Sequence, residues 1–69
     1  MSELVNLPDS FEDWGAAFSH LESCCELLGV EVEVNDFLPV KSKIYVLCKA
    51  LDIDHNDIYE RIRRGRDER

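Results

Sequence analysis

Apolar residues in the first part of the chain fall at Phe11, Trp14, Phe18, Leu21, Cys25 and Leu28, steps of three and four that draw one stripe along a helix. Ala17 and Cys24 widen the stripe. Asp9 or Ser10 suits the N-cap, Glu12 and Asp13 sit where the helix dipole favours negative charge, and Gly29 supplies a C-terminal stop. The pattern therefore predicts a helix over 10–28. The period then changes from 3.6 to 2: Val30-Glu31-Val32-Glu33-Val34 alternates strictly, as a short half-buried strand does. No second strand pattern follows it. The segment is therefore expected to lie as an extended linker against the helices, pairing with its own copy in a dimer being the other way to satisfy its backbone.

Asn35-Asp36 reads as a turn, and Pro39 or Ser42 opens a second helix whose Ile44, Leu47, Cys48 and Leu51 share a face. It ends near Leu51. Asp52-Ile53-Asp54 makes a break, Asp54 can cap a third helix, and Ile58 with Ile62 gives that helix an inward edge up to Gly65. The expectation is a compact all-α domain of three helices with one short extended segment near 30–34. It forms a single unit over 1–69, with residues 1–8 and 66–69 flexible.

Length and composition narrow the function. With 45% hydrophobic and 33% charged residues among 69, the chain is globular rather than disordered. A chain this short buries only about 60% of its unfolded surface, too little core to support itself and enclose a substrate cleft. A non-enzymatic protein is expected. Met1-Ser2-Glu3-Leu4 has no basic, apolar leader pattern, and no apolar run approaches the ~20 residues of a membrane span, so a cytoplasmic chain is expected. Three cysteines, two of them adjacent, fit a reducing compartment.

Charge divides the chain. All 8 Lys and Arg residues follow Pro39, whereas residues 1–39 carry nine carboxylates, so the first part bears −9 and the second +2. Glu22 and Glu26 are one turn apart on the first helix, Glu31 and Glu33 project from one side of the extended segment, and Asp36 lies close by. This set predicts an acidic protein-binding surface for a partner with a basic surface, steered by electrostatic complementarity. In composition the chain is similar to small acidic phage proteins that inhibit host or defence enzymes. That similarity implies a regulator or inhibitor acting in transcription, DNA maintenance or phage/host defence. On the outer side of helix 1, Ala16, His20, Ser23 and Leu27 fall within about 60° of one another; an outward Leu27 there reads either as a dimer seam or partner groove or as an ordinary exposed apolar residue.

Residues 47–65, from Leu47-Cys48-Lys49-Ala50-Leu51 through Ile58-Tyr59-Glu60-Arg61-Ile62-Arg63-Arg64-Gly65, resemble the helix-turn-helix of small phage and plasmid regulators. Ala50 and Leu51 match the pair before the turn, and Ile58, Tyr59, Arg63 and Arg64 match the recognition helix. The resemblance implies an alternative role in DNA binding through Asn56, Tyr59, Arg63 and Arg64. Glu60 would also point outward, and Arg61, Arg64 and Arg66 would meet phosphates. Asp52, Asp54 and Asp57 oppose this, because they crowd the helix end that would approach phosphate. The arginines also have a structural reading: Asp57–Arg61 and Glu60–Arg64 are i,i+4 pairs in the favourable order. A ribbon-helix-helix dimer has the same element order, but its DNA-reading strand residues would be Glu31 and Glu33, which phosphate disfavours.

Catalytic and metal chemistry finds little support. His20 and Cys24 share a helix face, but Cys48 and His55 lack the spaced partner of a zinc signature. Cys24, Cys25 and Cys48 all lie on apolar faces, where a thiol serves as a small hydrophobe. No glycine-rich phosphate loop is present. No catalytic residue, metal or cofactor is therefore expected.

Overall fold

Asp13, not Asp9 or Ser10, starts the first helix. In the computed structural model, which describes residues 6–67, α1 spans Trp14–Leu28. The Asp13 carboxylate accepts the Ala16 N–H at 2.8 Å, and its carbonyl accepts from Ala17 at 3.2 Å. The four-residue difference from the expected start has a tertiary cause. The Phe11 N–H bonds the Arg61 carbonyl at 3.0 Å, and Arg61 and Arg64 reach the Pro8 and Asp9 carbonyls, so the segment before Asp13 is laid along the third helix instead of continuing the axis of α1. Gly29 ends α1 as expected, at φ 69° and ψ 27°, while the Val30 N–H closes on Cys25 O at 2.9 Å.

Among the described residues no strand forms. Residues 30–34 run extended, with Val30, Val32 and Val34 packed on the core while Glu31 and Glu33 face solvent. A tight turn follows, in which the Asn35 side chain accepts the Phe37 N–H at 2.9 Å and its carbonyl accepts from Leu38 at 3.0 Å.

Helix α2 is Val40–Leu51, entered from Pro39, whose carbonyl accepts the Lys43 N–H at 3.1 Å. It buries Ile44, Leu47, Cys48 and Leu51. Asp52 closes it in the left-handed conformation, φ 59°, which a short polar side chain tolerates. Asp54 then starts α3, His55–Asp67, with its side chain accepting the Asn56 N–H at 3.0 Å. Gly65, expected to end this helix, lies inside it; Arg66 and Asp67 continue it. Of the ends expected to be flexible, residues 1–5 and 68–69 lie outside the described residues.

The fold is all-α: three helices pooling their apolar stripes into one cluster. Phe11, Ala17, Leu21, Cys24 and Cys25 meet Ile44, Leu47, Cys48 and Leu51 from α2, and Ile58 and Ile62 from α3. The body measures 34 × 31 × 16 Å, so it is thin in one direction and each helix keeps a solvent face. The segment before α1 lies over α3 as a strap. Phe11 is 4% exposed beneath it, Arg61 donates to the Pro8 carbonyl, and His20 shares a 2.8 Å hydrogen bond with the Asn6 carbonyl.

Candidate interaction surfaces

The acidic half of the sequence builds one groove and one knob. Helix α1 and the extended segment enclose a groove of about 570 Å³, whose wall carries Phe18, Val30, Val32 and Val34 and whose polar lining includes Glu22, Glu26 and Asp36. Of the five carboxylates expected to act together, these three share the groove. Glu31 and Glu33 are exposed, on the opposite side of the alternating segment from its valines. Lys43 stands with Nζ 5.7 Å from the Phe18 ring centre, so one cation already borders this surface.

The knob is Phe37. It is 94% exposed, the most exposed of the large apolar residues among the described residues, and it sits at a turn closed by two hydrogen bonds rather than on a loose loop. Charge and alternation mark the acidic residues around it, but neither singles out Phe37. Asn35-Asp36 marks a turn in the sequence, but a turn does not fix which way the next side chain points, and it is the packing around it that leaves this ring in solvent. Leu27 is 81% exposed, in line with its expected outward position, while His20 is partly covered, its ring 5.6 Å from that of Phe11.

The other surface is aromatic and basic. Rings follow one another from Trp14 to Tyr59 (5.3 Å), Tyr59 to His55 (5.3 Å) and His55 to Tyr45 (4.7 Å). Lys41 Nζ lies 5.4 Å from the Tyr59 ring centre and Lys49 Nζ 5.8 Å from that of Tyr45, within reach of a cation–π attraction. A cleft of about 430 Å³ opens beside Trp14, Tyr59 and Ile62, with Lys41, Arg63, Arg66 and Asp67 around it. Periodicity placed Trp14 with the core. It is only partly buried because the strap's departure at Phe11 leaves it in the first turn of α1, at the cleft's edge.

On α3, Asn56, Glu60, Arg63 and Arg64 are exposed and Tyr59 is half-buried, while Ile58 and Ile62 point inward. Asn56, Tyr59, Glu60 and Arg63 line a shallow depression of about 330 Å³. Arg61 is committed elsewhere, to Asp57 at 3.2 Å and to the Pro8 carbonyl. Arg64 turns to the Asp9 carbonyl at 3.5 Å, so the expected Glu60–Arg64 pair is not made.

The three thiols are free and buried. Burial pushes each one up; for Cys48 the nearby Asp54 and Asp57 add to it, bringing its pKa to about 11. A nucleophilic cysteine needs the opposite shift. Among the described residues no three His, Cys, Asp or Glu side chains gather as a metal site would require. Nor is any helix among them long and apolar enough to cross a membrane.

No family model matches this chain, and no curated protein or solved structure matches it.

Proposed function

We propose that this chain is a non-enzymatic regulatory protein that binds a protein partner through its acidic half, in transcription, DNA maintenance or phage/host defence. The observation that carries this reading is Phe37. A phenylalanine held almost wholly in solvent by a hydrogen-bonded turn, beside Asp36 and the Glu22–Glu26 groove, has the form of an interface anchor with an acidic surround. Its ring supplies apolar burial once a partner covers it. The carboxylates steer a basic partner into place and repel acidic ones. Because the turn is already ordered, binding loses little conformational entropy there.

The test is affinity capture from lysate of the source cells on immobilised wild-type protein, Phe37→Ala and Glu33→Lys. Phe37→Ala is expected to lower recovery of the captured protein by about tenfold or more. Glu33→Lys should slow association, with the difference fading at high salt. Capture that is indifferent to both substitutions sinks the proposal.

A second reading is a helix-turn-helix DNA-binding regulator. It is favoured by the three-residue Asp52–Asp54 connection between α2 and α3, with Ile58 and Ile62 inward and Asn56, Glu60 and Arg63 exposed. Tyr59 and Arg64 complete its contact set. Fluorescence anisotropy of labelled duplex DNA at low salt is the check. This reading expects binding that falls as salt rises and weakens in Arg63→Ala; a flat titration at low salt excludes it.

A further inference from the structure

The acidic knob and the basic cleft have complementary chemistry and occur on the same chain. The cleft offers Trp14, Tyr59 and Ile62 as an apolar lining and Lys41, Arg63 and Arg66 as a cationic rim, with Asp67 its one carboxylate. Its volume of about 430 Å³ accommodates a benzyl side chain with room for the flanking backbone. The knob offers Phe37 on an ordered turn, and the segment leading to it carries Glu31, Glu33 and Asp36 with no cation. We propose that two copies of this chain pair by each seating its Phe37 turn in the other's Trp14–Tyr59 cleft. This rests on the reading of the acidic half as a protein-binding surface and names the partner as a second copy.

Two features support a second copy over an unrelated ligand. The charges match: a three-carboxylate segment meets a three-cation rim, although whole chains at −7 repel one another and only a local match brings them together. The placement suits symmetry as well. Phe37 is four residues from Lys41, across the Pro39 entry to α2, so knob and socket rim belong to adjoining surface. A patch carrying both halves of a contact side by side is self-complementary about a two-fold axis, and such pairing closes at two copies.

The experiment is sedimentation velocity on wild type, Phe37→Asp and Arg63→Glu from micromolar to millimolar concentration, with circular dichroism to check that each variant is folded. Both substituted positions are exposed, so the fold should survive. Wild type is expected to shift from one chain mass to two, and each variant to remain at one. A mixture of the two variants should recover part of the two-chain mass, at higher concentration than wild type, because one of the two contacts is restored: the knob of the Arg63→Glu chain in the socket of the Phe37→Asp chain. Trp14 is the only tryptophan, so its fluorescence should change with pairing and follow the same concentration dependence.

Wild type that stays at one chain mass overturns the proposal while leaving the acidic surface free for a different basic partner, which the capture experiment reads separately. A dimer that persists in both variants places the seam elsewhere, for instance at Leu27, and also overturns it. So does a mixture that stays monomeric. A mass that keeps growing with concentration refutes the two-fold closure. Finally, monomeric wild type whose Trp14 emission responds to an added oligonucleotide assigns the cleft to phosphate-bearing ligands instead.

Discussion

Gly65→Ala should destabilise the protein by about 3 kcal/mol, although the same change inside an exposed helix ordinarily stabilises by roughly 0.5–1 kcal/mol. The reversal comes from what lies against the glycine. A methyl group there would overlap the carbonyl oxygen of Phe11 and press on its carbonyl carbon, and these are backbone atoms that cannot rotate aside. The Phe11 N–H is tied to Arg61 O at 3.0 Å and its ring is 4% exposed, so the strap cannot shift without losing a hydrogen bond and a buried aromatic. Overpacking of this kind costs about 1–3 kcal/mol, and release of the ring adds up to about 2 more if the strap lifts. For a domain of this length that is a large share of total stability, at roughly 0.05–0.15 kcal/mol per residue.

Urea unfolding supplies the measurement. The midpoint should fall, and if the strap has already peeled from α3 the slope should fall with it, because less surface remains to be exposed. Gly15→Ala is the control. A methyl there meets only the Asp13 carboxylate at an ordinary 3.5 Å, so about 0.5 kcal/mol of stabilisation is expected. If Gly65→Ala matches Gly15→Ala, the strap does not lie where it is described.

Alkaline solution should weaken the fold through Cys48 by about 2–3 kcal/mol, the equivalent of moving a thiol from near 9 to about 11. Burial is the main cause, since Cys48 on α2 is wholly buried, and the Asp54 and Asp57 carboxylates oppose a thiolate further. Its folded pKa is raised, so the protonated thiol's contribution is whole below pH 9 and is lost as pH rises toward about 11. Cys24, Cys25 and Tyr59 are shifted in the same direction, again chiefly by burial, and add to the same decline. Thermal melts of wild type and Cys48→Ala from pH 7 to 11 isolate the part due to Cys48. The variant should start lower, because a small cavity replaces the sulfur, and should lose less on the way up. Parallel pH curves for the two proteins would show that Cys48 is not the sensitive group.

The helices were legible in the chain because each carries its own period and at least one local capping residue. Ile44, Leu47, Cys48 and Leu51 share a face in any helix of this sequence, and Gly29 and Asp54 act on the backbone within a few residues of themselves. The alternation of Val30, Val32 and Val34 correctly announced which side is buried, though not whether a partner strand exists. Glu22, Glu26 and Asp36 could be grouped from sequence because two lie one helical turn apart and the third follows at the end of a short extended segment.

What failed to show in the sequence depended on contacts between distant residues. The start of α1 differs because Phe11 could extend the helical stripe, and only the docking of residues 8–11 against α3 decides that it does not. Gly65 carries a stop signal in isolation and is needed in mid-helix because the Phe11 carbonyl crosses there. Arg61 and Arg64 look like cations awaiting phosphate until the strap places the Pro8 and Asp9 carbonyls before them. The cleft draws Trp14, Lys41, Tyr59 and Arg66 from three helices, and no local period can join residues so far apart in sequence. The existence of three helices, their buried faces and the sign of each surface thus followed from the amino-acid sequence alone, because propensity, capping and charge act over one or two turns. The strap, the cleft and the near-complete exposure of Phe37 were decided by tertiary packing, where distant segments compete for the same backbone groups and the same buried space.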